Sequence, residues 1–113
     1  MTSNQFWEME FETRDTANDF AGRVIHKSEY GHKNELGWTV DHILPLSLNG
    51  PDRIDNWQIV HYKTNEEKSN KNTFEANGKY FQVKKIKNIF DDDKMANYPY
   101  KKRKKIYCVI MEQ

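Results

Sequence analysis

The segment at 36–72 constrains the fold more than any other part of the chain, because two short apolar runs flank a strong loop signal there. The first run, LGWTV, leads into DHILP, and the second is WQIV. Between them lies Asn-Gly-Pro-Asp at 49–52, and these residue types favour turns. The helix-forming sequence YKTNEEKSNK follows, with Thr64 as a candidate N-cap. The predicted order is therefore strand, loop, strand and helix.

The flanking sequence predicts further short elements. Residues 6–12 alternate apolar and acidic side chains, a period of two that predicts a half-buried strand. The polar segment 13–20 predicts a turn. Asn77-Gly78 lies between aromatic flanks and predicts a β-hairpin, and IYCVIM at 106–111 predicts a last strand. Short strands around one helix, in 113 residues, predict an α+β fold with one domain spanning 1–113.

Composition and charge exclude several classes of protein. The net charge is +1, so any attraction to nucleic acid must be local rather than global. Cys108 is the only cysteine, which excludes an intramolecular disulfide and a cysteine-rich zinc site. The first ten residues lack the basic start and apolar core of a signal peptide. No apolar run approaches the roughly 20 residues that a membrane span requires. We predict a cytoplasmic protein that does not contact membranes.

Two adjacent ionisable residues, Asp41 and His42, interrupt the first apolar run. Consecutive strand residues point to opposite faces, so we expect the chain to leave the regular pleat here if both serve one site. A carboxylate binds a hard cation, and an imidazole with an ordinary pKa of ~6.5 accepts a proton near neutral pH. Phosphodiester hydrolysis requires both functions. Such a pair taken alone is more typical of a structural hydrogen bond.

A second metal ligand is expected from the following helix. Asn65 is the candidate, because its amide oxygen suits Mg²⁺ or Mn²⁺. Lys68 lies one turn further along the same helix face, where we predict that it meets a phosphate.

The residues DHILP, Asn56 in DNW and Asn65 in KTNEEK resemble the HNH nuclease motif. Their spacing is similar to that in the HNH domain of the CRISPR effector nucleases. The resemblance implies that Asp41 is a metal ligand, His42 the general base, Asn56 the residue that holds the intervening loop, and Asn65 the second metal ligand. It covers residues 38–72 and implies a ββα-metal core with flanking β-hairpins.

The resemblance also implies an activity, a metal-dependent endonuclease that hydrolyses phosphodiester bonds of DNA, with RNA as the alternative. The products would carry 5′-phosphate and 3′-hydroxyl ends; a monomer would nick, and a homodimer would cut both strands. Many HNH proteins hold a structural zinc with two CxxC pairs, but His61 and Thr64 stand where the second pair would be. No structural zinc is expected, and asparagine at the last motif position favours Mg²⁺ or Mn²⁺.

Several residue assignments have alternatives. His61 is a third metal ligand, a substrate contact or simply a strand-end residue. Arg23 either clamps a phosphate or pairs with the acidic first strand. A basic run either follows a nucleic-acid backbone or forms a solvated loop; it consists of Lys101, Lys102, Arg103, Lys104 and Lys105.

Two other functions compete with the nuclease. One is a catalytically silent nucleic-acid-binding module with the same fold, against which the intact set of Asp41, His42 and Asn65 argues. A binding module has no need of a base beside a metal ligand. The other is a nuclease subunit that depends on a partner for specificity, because 113 residues leave little room for a separate recognition domain.

Overall fold

The fold, seen in a computed structural model that describes residues 1–86 and 105–112, combines two α-helices of the described ranges with small antiparallel sheets. In chain order the elements are α1 (Ser3–Phe11), β1 (Thr16–Asn18), β2 (Val24–His26), β3 (Trp38–His42), β4 (Trp57–His61), α2 (Tyr62–Lys68), β5 (Thr73–Ala76), β6 (Lys79–Lys85) and β7 (Tyr107–Met111). The sheets are β1–β2, β3–β4 and β5–β6–β7. The α+β class is confirmed.

The predicted strand, loop, strand and helix correspond to β3, the loop at 43–56, β4 and α2. The two strands pair antiparallel along their full lengths, with Trp38 opposite His61 and His42 opposite Trp57. β1–β2 precedes this ribbon and β5–β6 follows it. The predicted hairpin turn at Asn77-Gly78 is also present, since both residues have the positive φ that such two-residue turns require.

The strand predicted for 6–12 is wrong, because residues 6–11 lie in helix α1 and Glu12 is its C-cap. Thr2 and Gln5 form a reciprocal capping box, in which each side chain accepts from the other's backbone N–H. The helix buries the adjacent residues Phe6 and Trp7, which a strand would place on opposite faces. Burial of this pair, rather than the alternation of apolar and acidic residues, decides the local structure.

Two smaller predictions are also wrong. The predicted turn at 13–20 contains strand β1, which pairs with β2. The N-cap of α2 is His61 rather than Thr64, since the His61 ring accepts a hydrogen bond from the Lys63 backbone N–H at 3.0 Å. Thr64 lies inside the helix and is fully buried.

Two hydrophobic clusters lie on either side of the end of β3. The first joins the ribbon to α1 and the β1–β2 hairpin; it contains Phe6, Trp7, Ala17, Ile25, Trp38 and Ile59. The second joins Ile43 to the β5–β6 hairpin through Phe74 and Phe81. Residues 41–43, the last two of β3 and the first of the following loop, therefore lie between the two clusters. Within the described ranges, no helix has the length and apolar character needed to cross a membrane.

Candidate active site

The pair Asp41–His42 occupies the last two positions of β3. Contrary to expectation, the chain does not leave the pleat at this pair: the ladder includes both residues, opposite Gln58 and Trp57. Irregular backbone begins only after His42. The two side chains therefore lie on opposite faces of the ribbon. The Asp41 side chain points toward Lys68 of α2, and the His42 side chain points toward a pocket that Val40 also lines.

Asp41 is held by one of its two carboxylate oxygens. Oδ2 accepts from Nε2 of Gln58 at 2.8 Å and lies 3.1 Å from Nζ of Lys68. Within residues 1–86 and 105–112, Oδ1 has no hydrogen-bond partner. Burial raises the pKa of Asp41, and the nearby Lys68 charge opposes that increase. The side chain is thus an oriented carboxylate with one oxygen available to a cation.

Lys68 is fully buried in α2. Its ammonium donates to the backbone carbonyl of His42 at 2.9 Å and pairs with Asp41. Burial lowers the pKa of Lys68, while the Asp41 carboxylate opposes the decrease. The structure thus places this ammonium inside the protein, rather than on the surface where the predicted phosphate contact would occur.

Asn65 lies three residues before Lys68 on the same face of α2. Its backbone carbonyl accepts from Ser69, and its partly exposed side chain has no hydrogen bond to any described residue. Because Lys68 contacts Asp41, this helix face is the one directed toward the end of β3. Carboxylate and amide oxygens are the ligands that a hard divalent cation prefers, so Asp41 and Asn65 are the residues here that could hold one.

His42 points into a pocket of about 290 Å³ whose apolar lining includes Phe6, Val40 and Trp57. Its Nε2 is 2.9 Å from Oδ1 of Asp52. An ionised carboxylate can only accept, so Nε2 carries the proton on the neutral ring and Nδ1 retains its lone pair. The ring is 30% exposed, which makes a base accessible to water. The hydrogen bond from His42 lowers the pKa of Asp52.

Asn56 holds the loop between β3 and β4. Its side chain is fully buried and makes three hydrogen bonds. Oδ1 accepts from the Leu44 backbone N–H at 2.9 Å, and Nδ2 donates to the carbonyls of Leu44 and Pro51 at 3.0 and 2.9 Å. These contacts span the base of the loop that begins directly after His42.

His61 and Arg23 have protein partners. His61 is buried; Nδ1 accepts from Lys63, and Nε2 lies 2.8 Å from the Glu35 carbonyl. Both ring nitrogens are occupied, so the structure does not present this ring as a third metal ligand. Arg23 donates to the Thr64 hydroxyl at 3.0 Å and pairs with Glu67. Its partners in the structure therefore lie on α2, and the predicted pairing with the acidic segment at 6–12 is not seen.

Most of the basic run lies outside the described residues, namely Lys101, Lys102, Arg103 and Lys104. Lys105 is described, and its ammonium is 3.3 Å from Glu10 of α1. Across residues 1–86 and 105–112, no cluster of three or more histidine, cysteine, aspartate or glutamate side chains is arranged to hold a metal, and no zinc site is seen there.

Two site residues, Asp52 and Gln58, were not predicted from the sequence. In the sequence, Asp52 belongs to the predicted turn Asn-Gly-Pro-Asp. Its position ten residues after His42 is the only sequence signal that relates it to the proposed base. Gln58 is identified by counting the ribbon register, because it lies directly opposite Asp41. A register count from the two apolar runs would have found it.

Comparison with protein families identifies the central part of the chain. The HNH endonuclease family matches residues 24–71, from the start of β2 to just beyond α2. No curated protein and no solved structure gives a significant match. The matched range contains Asp41, His42, Asn56 and Asn65, the four positions that carry the motif. Residues 24–71 of this chain are an HNH endonuclease domain.

Proposed function

We propose that the protein is a metal-dependent endonuclease that hydrolyses phosphodiester bonds of DNA. The observation that carries the proposal is the placement of Asp41 and His42 on opposite faces of the ribbon end. In-line displacement at phosphorus requires the attacking water and the leaving oxygen on opposite sides. A phosphate lying across the end of β3 would meet the base from one face and the metal-binding carboxylate from the other.

His42 acts as the general base in this proposal. Nδ1 removes a proton from a water, whose oxygen forms a bond to phosphorus as the bond to the 3′ oxygen breaks; solvent then protonates the leaving oxygen. A Mg²⁺ or Mn²⁺ held by Asp41 and Asn65 would supply charge neutralisation at the phosphate and the leaving oxygen. Asn56 takes no part in bond breaking and keeps the loop after His42 in place.

A second candidate, the nucleic-acid-binding module without turnover, is favoured by one observation. The ammonium of Lys68 already pairs with Asp41, so part of the carboxylate charge is neutralised without a metal. The two candidates differ in whether Oδ1 of Asp41 still binds a divalent cation. Calorimetric titration of the protein with Mn²⁺ separates them: binding that Asp41→Ala weakens supports the nuclease, and its absence supports the module.

Turnover is tested directly with supercoiled plasmid. The wild-type protein should relax the plasmid in Mg²⁺ or Mn²⁺ and stop when EDTA is added, and His42→Ala should lose this activity. His32→Ala is a matched control, because His32 also pairs with a carboxylate, Glu29, but lies outside the site. Metal-dependent nicking that survives in His42→Ala would contradict the proposal, as would no nicking by the wild type over a range of pH.

A further inference from the structure

The hydrogen bond between His42 and Asp52 is the one contact of the proposed base with an acidic side chain in the described ranges. Asp52 follows Pro51, whose carbonyl is bound by the buried Asn56. Its carboxylate also lies 3.4 Å from Nε1 of Trp57, which faces His42 across the ribbon. Two fixed elements therefore place the carboxylate at Nε2 of the imidazole.

We propose that Asp52 is a positioning residue for His42, selecting the tautomer and ring orientation that direct the Nδ1 lone pair at the attacking water. The proposal rests on the nuclease function proposed above. Asp52 touches no reacting atom. It accepts the Nε2–H hydrogen bond before the reaction, and its negative charge stabilises the imidazolium that forms when Nδ1 takes the proton.

Exposure of Asp52 limits the size of this effect. The side chain is 70% exposed, so water screens its charge more than in a buried histidine–carboxylate pair. The lowered pKa of Asp52, caused first by the His42 hydrogen bond, nevertheless keeps the carboxylate ionised over the range in which histidine acts as a base. A substrate lying over the pocket would exclude part of the solvent and strengthen the contact.

Steady-state nicking by two variants tests the proposal. Asp52→Ala removes the acceptor, and kcat should fall about 10-fold to 100-fold. KM should stay the same or decrease, because a negative charge facing a polyanion is removed. Asp52→Asn retains an acceptor oxygen without the charge, so its kcat should lie between those of the wild type and Asp52→Ala.

Glu29→Ala is the matched control. It breaks a histidine–carboxylate pair with a 2.6 Å separation, to His32, on the surface outside the site. Its kcat should equal that of the wild type. A kcat for Asp52→Ala within twofold of the wild type, or a decrease matched by Glu29→Ala, would overturn the proposal.

A measurement without turnover separates this proposal from the proposed function. Long-range ¹H–¹⁵N spectra of the metal-free protein report which imidazole nitrogen is protonated. The neutral His42 ring should be protonated at Nε2 in the wild type and should become a mixture of tautomers in Asp52→Ala. A wild-type ring without a proton on Nε2 would refute the positioning role, whether or not the protein nicks DNA. If the expected spectra are found in a protein that never nicks, the proposed nuclease function fails and the His42–Asp52 contact stands.

Discussion

Replacing Asn56 with alanine would remove all three side-chain hydrogen bonds that close the loop at 43–56. The Leu44 N–H and the carbonyls of Leu44 and Pro51 would be left without their partner in a site with no exposed side-chain area. An unsatisfied buried polar group costs about 1–3 kcal/mol. A water entering the vacated space would satisfy part of the three, so we expect a decrease of about 3–5 kcal/mol in the free energy of unfolding.

That decrease is a large share of the stability of the protein. Domains of this size unfold with a free energy of about 6–15 kcal/mol. At about 4 °C for each kcal/mol, the melting temperature should fall by about 12–20 °C. Nicking should fall as well at temperatures where the variant is still folded, because the loop that starts after His42 would no longer have a fixed geometry.

Thermal melting by circular dichroism and plasmid nicking measure the two effects. Asn56→Asp separates hydrogen bonding from packing, because the two side chains have nearly the same volume. In the variant a carboxylate oxygen replaces the Nδ2 donor and faces two carbonyl oxygens, to which it cannot donate. It should lose at least as much stability as Asn56→Ala. Asn34→Ala is the control, an exposed asparagine that bonds Glu29 and the Leu36 N–H. It should be destabilised by about 1 kcal/mol or less. Melting and nicking of Asn56→Ala equal to those of Asn34→Ala would refute the reasoning.

Three further predictions concern other parts of the molecule. His42→Ala should lower turnover about 10²- to 10⁴-fold with Mn²⁺ affinity retained, whereas Asp41→Ala should weaken Mn²⁺ binding in calorimetry; the reverse pattern would show that the roles are exchanged. Replacing the lysines at 101–104 with glutamine should reduce the slope of log DNA affinity against log salt concentration. The expected reduction is about 0.9 for each phosphate that the protein no longer neutralises. Lys105→Gln should leave the slope unchanged, because Lys105 pairs with Glu10. A hydrogen bond from Asn34, with a further one from His32, lowers the pKa of Glu29 from 4.5. The contribution of Glu29 to stability is therefore present above pH 4.5 and is lost as the pH falls through the lowered pKa. The urea midpoint should depend less on acid pH in Glu29→Gln than in the wild type.

The elements that the sequence predicts correctly are those with both a pattern and an end signal. β3 and β4 are apolar runs bounded by glycine and turn residues, and the β5–β6 hairpin has Asn77-Gly78. Helix α1 is not predicted, because its apolar residues recur at the spacing of a strand as well as at that of a helix. Tertiary contacts decide between them: Trp7 packs on Trp38 of the ribbon with ring centroids 5.1 Å apart, and a helix presents Phe6 to the same cluster.

In the candidate site, spacing predicts positions but not partners. The motif spacing identifies Asp41, His42, Asn56 and Asn65 without any knowledge of contacts. That Lys68 is buried against Asp41 depends on how α2 packs on the ribbon, which no local pattern encodes. A lysine on the same helix face as Asn65 is equally compatible with a phosphate contact or an internal ion pair. Burial separates the two, and burial is a property of the assembled fold.

The same dependence on packing explains how α2 is held by its neighbours in the described part of the chain. The resemblance to HNH proteins leads one to expect a second CxxC pair at His61 and Thr64, and both residues instead join a polar network. The buried Asp19 carboxylate accepts from the backbone N–H of His61 at 2.9 Å with one oxygen, and from those of Ala21 and Arg23 at 3.0 Å with the other. The start of α2 is thereby tied to the turn between β1 and β2.

Arg23 extends this network along the helix. Its guanidinium donates to the Thr64 hydroxyl and pairs with Glu67, whose carboxylate also accepts from the Asn77 N–H at the β5–β6 turn. One side of α2 is therefore joined to both flanking hairpins, and the face that carries Asn65 and Lys68 is directed at the end of β3. A zinc ion would fix the helix through four ligands. Here hydrogen bonds to charged groups hold the helix, and Arg23 supports the face of α2 that carries Asn65 and Lys68.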